Sequence, residues 1–217
     1  MINYVITIFE LEESVKVAER CIQSGKKFNI NIDKFEACTP QDNPREYLES
    51  EGIDYNNIMT RVSRSDNVLS CFVSHYQLWK KCVKLNEEIT IFEHDAVIKS
   101  NIPNDLDYKG CINLGQPSWG RFNIPKRMGV NKLSSKDCFP GAHAYRIKPE
   151  CANEMIEKSK KYAKPVDTFL NNENFNFLEE YYPWPVIADD YFTTVQKNNG
   201  TRGKNNYRKL GNKYRII

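Results

Sequence analysis

Apolar positions along this chain fall into short runs and helical stripes that alternate. Tyr4 to Ile8 is an apolar run of strand length, and Glu12 to Ser24 has helical spacing that stops near Gly25. Phe28 to Phe35 alternates through Phe28, Ile30 and Ile32 and predicts a second strand. A β-α-β opening of this kind predicts a parallel sheet of the nucleotide-binding class. Asp42 to Gly52 reads as a short helix and Asp54 to Ser65 as a loop. Ser65 or Asp66 can then cap a long helix running to about Leu85. Leu69, Phe72, Val73, Tyr76, Trp79 and Val83 share one face of it, and Cys71, His75, Leu78 and Cys82 form a second, mildly apolar face. The helix is therefore predicted to be buried on two sides. His75 reads either as a hydrogen-bonded core histidine or as a group that reaches substrate.

Downstream, Ile89 to Phe92 is an apolar strand that feeds the acidic stretch Glu93-His94-Asp95. Cys111 to Leu114 and His143 to Ile147 read as further strands. Between them, Gly115 to Lys136 is a long loop punctuated by Gly and Pro and containing Trp119; loops of that length in a domain are commonly functional or disordered. Pro149 opens a helix to about Tyr162. Lys164 to Leu170 reads as an extended turn, and Tyr181 to Ile187 as a short aromatic strand.

The acidic stretch carries the most chemistry. Strand side chains alternate, so Glu93 and Asp95 are expected to point one way and His94 the other. Two carboxylates at the end of a buried strand can hold a hard divalent cation, and the cation a diphosphate. Acid-x-acid triplets are also common as ordinary solvated strand ends.

Composition bounds the rest. The chain has 217 residues, 40% hydrophobic and 27% charged, which is ordinary for one α/β domain. Its N-terminus reads as a strand rather than a leader peptide, and no apolar run reaches the roughly 18–20 residues of a membrane span. Seven cysteines without a C-x-x-C pair predict buried thiols in a reducing cytoplasm. The net charge is +3, but residues 191–217 hold seven cations and no acid, leaving residues 1–190 at −4. That basic tail, interleaved with Tyr207 and Tyr214, can meet phosphate on nucleic acid, on a membrane surface or on a sugar nucleotide, or stay solvated.

Taken in order, several blocks resemble glycosyltransferase family 25. Tyr4-Val-Ile-Thr-Ile8 and Phe35-Glu-Ala-Cys-Thr-Pro-Gln-Asp42 resemble its first two strands. Ser70-Cys-Phe-Val-Ser-His-Tyr-Gln-Leu-Trp79 is similar to its G-C-x-x-S-H-x-x-x-W helix. Phe92-Glu-His-Asp-Ala96 is similar to its E-D-D strand end, Gly141-Ala-His-Ala-Tyr-Arg-Ile147 to its G-x-x-A-Y strand, and Pro165-Val-Asp-Thr-Phe-Leu170 to its P-x-D-x-x-L turn. Ser70 replaces the usual glycine, and His94 the usual middle aspartate.

The resemblance implies an α/β, GT-A-like, Rossmann-type mixed sheet flanked by helices. It covers a single domain at 1–190, followed by the basic tail. It also implies inverting transfer of a hexose, galactose or glucose, from a UDP-sugar with Mn²⁺ (or Mg²⁺). On that reading Asp95 is the metal ligand, and Glu93 shares the metal or accepts from the ribose. His94 faces the core or a neighbouring loop, or adds a nitrogen ligand. His143 is a further candidate for the metal or the donor, and Arg61 and Arg64 are candidates for the diphosphate. Asp167 is the first candidate base, with Asp189 or Asp190 second; as an alternative, Asp167 is a turn-forming carboxylate. The acceptor is a glycan. Alternatives are a hydroxymethylated base of viral DNA, held through the basic tail, or a non-catalytic binder of nucleotide-sugars.

Overall fold

In the first strand, β1 (Ile2–Thr7), buried and half-buried positions alternate, as expected for a strand packed on both faces. The computed structural model describes residues 1–59, 65–188 and 194–195. Strand β1 runs parallel to β2 (Asp33–Glu36) on one side and to β3 (Ile89–Glu93) on the other. The helix α1 (Glu12–Lys26) crosses between β1 and β2, and α2 (Pro44–Ser50) and α3 (Ser65–Leu85) lie between β2 and β3. After β4 (Ala96–Ile98) come β5 (Cys111–Asn113), β6 (Gly129–Lys132), β7 (Ala144–Ile147), α4 (Pro149–Lys161), α5 (Val166–Phe169), β8 (Leu178–Tyr182) and β9 (Val186–Ala188).

Seven strands form one mixed sheet in the order β2-β1-β3-β7-β5-β8-β6, while β4 and β9 make a separate antiparallel pair. Neighbouring residues feed opposite faces. Ile91 of β3 packs into the core under α3 and α4, and Phe92 into the core under α1 and β4. Both faces are thus covered by apolar contacts, which is why β3 is buried almost throughout. The expected α/β mixed sheet flanked by helices is what the chain forms. Helix α3 is buried on both predicted faces. Trp79, Phe72 and Phe169 stack or meet edge-on at 5.7–5.8 Å, which pins α5 against α3.

Four local expectations are corrected. The second strand begins only at Asp33, because the Phe28 and Ile30 N–H groups both bond the Gly25 carbonyl at the end of α1. Ile30 and Ile32 are buried, but in the turn that precedes the ladder. The predicted loop 115–136 contains β6, paired antiparallel with β8. The predicted extended turn 164–170 contains α5. The predicted aromatic strand 181–187 is two strands, β8 and β9, in different sheets, with Pro183 and Pro185 between them. The basic tail, apart from Thr194 and Val195, lies outside the described residues.

Candidate active site

Strands β1 and β3 end side by side, with Ile6 paired to Glu93. In parallel sheets, ligands bind in the crevice beyond such carboxyl ends. Here the crevice is a cavity of about 100 Å³ lined by Ile8, Cys38, Cys71, His75, Glu93, His94 and Asp95, with Thr194 and Val195 on its rim. It adjoins a groove of about 1020 Å³ along the ends of β1 and β2, with which it shares Ile8, Ala37, Cys38, Pro40, Asn67 and Thr194. The groove is large enough for a nucleotide-sized ligand.

The acidic stretch reaches this crevice from a strand end and the turn after it. Strand β3 stops at Glu93, where its partners run out: Ile6 is the last residue paired on one side and Ala144 on the other. His94 and Asp95 form a two-residue turn into β4, which pairs with β9 instead. All three residues line the cavity, but Glu93 faces His75 on α3 while His94 meets Ser14 on α1, so His94 does turn away from Glu93 as the alternation predicts. The Ser14 hydroxyl accepts from the Ile8 N–H at 3.0 Å and meets His94 Nδ1 at 2.7 Å. Ser14, on α1, thereby fixes this ring against the helix.

Glu93 is held by a directed chain of hydrogen bonds. Trp79 Nε1–H donates to the Tyr145 oxygen at 2.8 Å. Tyr145 Oη lies 2.8 Å from His75 Nδ1, and His75 Nε2 lies 3.3 Å from Glu93 Oε1. The Glu93 carboxylate is the acceptor at Nε2, so the imidazole proton sits there and the tyrosine proton goes to Nδ1, while the tyrosine oxygen accepts from the indole. The three side chains at the head of the chain are fully buried. Its links join the helix block, the A-Y strand and the acidic strand end across up to 70 residues of sequence. Ser74, on the same helix, accepts the Cys38 N–H at 3.0 Å and so fixes the loop after β2 on the cavity's other wall.

Among the described residues, Cys71, His75 and Glu93 bring donor atoms within 4.8 Å of one another, close enough for a metal. The chemistry argues against that trio. Lone-pair donation from His75 Nε2 would move its proton to Nδ1, against the hydroxyl proton of Tyr145. The Cys71 thiol is pushed far up, first by burial and then by the charge of Glu93. The donor set that fits a hard cation is the pair of carboxylates, Glu93 and Asp95, on the cavity wall.

Asp167, in α5, is half-buried and accepts a 2.8 Å bond from Trp119 Nε1. Burial raises its pKa above the ordinary carboxylate value, opposed by that bond and by backbone N–H groups. Its charge reaches both His75 and Cys71, but Asp167 is not among the residues that line the cavity. The Lys136 ammonium sits 3.6 Å from the centre of the Trp119 ring and fixes the indole.

His143 is placed elsewhere. Its backbone carbonyl accepts the Glu93 N–H, but its buried ring is clamped between Gly115 and Gly141. A Cβ on Gly115 would fall 2.5 Å from His143 Nε2, so only glycine permits that approach. The ring is not among the groups lining the cavity. Arg61, Arg64, Asp189 and Asp190 lie outside the described residues. Tyr145, Trp119 and Ser14 were not singled out as site residues by sequence reasoning. For Tyr145 and Trp119 the signal was present, in the A-Y strand block and in the unusual long loop.

Burial lowers His75 to a pKa of about 3 and His143 to about 4, against 6.5 in an open chain. Both are neutral in the folded protein, while the unfolded chain protonates them as pH falls through 6.5. Their contribution to stability is therefore complete above that pH and lost progressively towards 4 and then 3. The limiting slope is about 1.4 kcal/mol per pH unit for each ring. Melting temperatures measured from pH 7.5 to 4.5 are expected to fall less steeply for His143→Gln than for the wild type; parallel curves would contradict this.

A comparison with curated proteins returns no match. Among solved structures, the chain resembles a nucleoside-diphosphate-sugar pyrophosphorylase from Vibrio cholerae RC9. The identity is 13%, over 86% of this chain and 75% of that one, with a TM-score of 0.34, too remote a likeness to inform the chemistry. The sequence model described as glycosyltransferase family 25 (LPS biosynthesis protein) matches residues 2–127, which include β1, α3 and the whole Glu93-His94-Asp95 turn. With more than half its length matched, the chain belongs to glycosyltransferase family 25.

Proposed function

We propose that this glycosyltransferase moves a hexose, galactose or glucose, from a UDP-sugar to a hydroxyl of a glycan, in a GT-A-like arrangement. The observation that carries the reading is the convergence of Glu93 and Asp95 on one crevice beyond β1 and β3, beside a groove of nucleotide size. The groove takes the nucleoside and the crevice the diphosphate. Glu93 and Asp95 are the residues that would hold Mn²⁺ or Mg²⁺. A cation bound there supplies Lewis-acid neutralisation of the charge that builds on the leaving nucleotide. The chain's own contribution is to aim both carboxylates: the Trp79-Tyr145-His75 chain orients Glu93, and the turn into β4 places Asp95. All seven cysteines are free thiols, which supports a reducing, cytoplasmic setting.

Asp167 is the base that takes the acceptor hydroxyl proton, with Trp119 holding its other oxygen. Asp167→Asn is expected to lower turnover by roughly 10²- to 10⁴-fold. Because the Asp167 pKa is raised, the wild-type rate should fall on the acid side at a higher pH than an ordinary aspartate would give. The base works only when ionised, so the residual activity of Asp167→Asn should lack that limb. An unchanged limb would assign the base elsewhere. The reading as a whole is tested by incubating the protein with UDP-glucose, UDP-galactose or UDP-N-acetylglucosamine, Mn²⁺ and short oligosaccharides. UDP release together with an acceptor heavier by one hexose supports it. Absence of product from every UDP-hexose removes it.

A further inference from the structure

The loop that carries Trp119 has an outer side that the chemistry above does not use. Residues 115–136 contain no acid. Arg121, Lys126, Arg127 and Lys132 are exposed, and between them Ile124 and Met128 stand 65% and 78% exposed. Both are among the most exposed large apolar side chains of the described residues. Lys132 pairs in register with Glu179, and among the described residues no ion pair engages Arg121, Lys126 or Arg127.

The loop is built to hold this surface. The buried Glu180 carboxylate accepts the Ser134 and Ser135 N–H groups at 2.8 Å each. Asn123 N–H bonds the Ser135 carbonyl, and the Phe122 ring meets Trp184 edge-on at 5.6 Å. The Asn131 side chain ties the Arg127 and Gly129 carbonyls. Ile124 and Met128 therefore project from an anchored scaffold, so little ordering entropy opposes their burial.

We propose that this loop docks the protein on an anionic lipid bilayer, with Ile124 and Met128 entering the headgroup layer and Arg121, Lys126 and Arg127 facing acidic headgroups. Charge complementarity selects the occupant. A second copy would meet the same three uncompensated cations. The projecting side chains are aliphatic and offer no ring on which bases stack, unlike single-strand binding surfaces. Among the described residues no helix is long and apolar enough to cross a membrane, so attachment here is to the surface. The proposal is independent of the transfer chemistry.

The test is co-sedimentation of the full chain with vesicles of 30% phosphatidylglycerol in phosphatidylcholine and with pure phosphatidylcholine. Each basic residue at an anionic surface is worth roughly fivefold in binding, so Arg121→Gln/Lys126→Gln/Arg127→Gln should weaken partitioning on the order of 100-fold. Ile124→Ser/Met128→Ser should weaken it about tenfold or more. Both sets lie on the surface, and unchanged melting temperatures confirm that the fold is intact. Binding to the anionic vesicles that falls in both variants supports the proposal. It is overturned if the wild type ignores the anionic vesicles, or if the variants bind as well as the wild type, which would place attachment on the tail. It is also overturned if a 20-nucleotide single strand is held by this loop while vesicles are not.

Discussion

Asp95→Asn is expected to lower sugar transfer by roughly 100- to 1000-fold at saturating Mn²⁺ while leaving the melting temperature within a few degrees of the wild type. The size follows from the several kcal/mol of leaving-group charge that a carboxylate-held cation stabilises, at about 1.4 kcal/mol per factor of ten. The intact fold follows from the near-isosteric change: Asn keeps the shape of Asp95, which sits in the turn after β3, outside both apolar cores. Glu93→Gln should lose a similar factor by a different route. Its amide oxygen can still accept from His75 Nε2, so the buried chain survives while the charge that meets the cation is gone. Kinetics at varied Mn²⁺ separate the cases, since both variants should need far more metal for half-maximal rate. Retention of activity within tenfold in either variant would remove the carboxylate pair from the chemistry.

Tyr145→Phe should be the most destabilising conservative change near the site, by about 2–4 kcal/mol. The tyrosine hydroxyl is the junction between Trp79 Nε1 and His75 Nδ1, and all three rings are fully buried. Removing one oxygen strands two buried polar atoms, each at about 1–3 kcal/mol. The loss reaches the site as well. Without a proton donated to Nδ1, His75 is no longer held in the tautomer that points Nε2–H at Glu93, so activity should fall more than the population of folded protein explains. Denaturant midpoints give the first quantity and rates per folded molecule the second. A Tyr145→Phe variant within 1 kcal/mol of the wild type would show that the chain is not the support described here.

The parts of the site that were legible in the sequence are those whose signal is local. The apolar run from Ile89 ending in acids marked β3 and its carboxylates, and the second face of α3 marked His75 as a hydrogen-bonded interior residue. The turn after Glu93 was not legible, because strand alternation was carried through Glu93, His94 and Asp95. Pairing of β3 stops at Ile6 of β1 and Ala144 of β7, contacts that lie in other segments of the sequence. His143 misled as well. It was read as the first residue of a strand that begins at Ala144, and its ring direction depends on Gly115, which makes room for it from another segment. Likewise the partner of Asp167 lies 48 residues away in a loop whose sequence shows only Gly and Pro punctuation. A hydrogen-bond chain that joins three segments leaves no periodic trace in any one of them.

The most direct measurement of the central idea is calorimetric titration of UDP into the wild type and into Asp95→Asn, each with Mn²⁺ and with chelator. Saturable binding by the wild type that requires Mn²⁺, and that Asp95→Asn loses, is the predicted result. UDP binding of equal strength in chelator, or in Asp95→Asn, would contradict a crevice in which Glu93 and Asp95 hold the nucleotide through a cation.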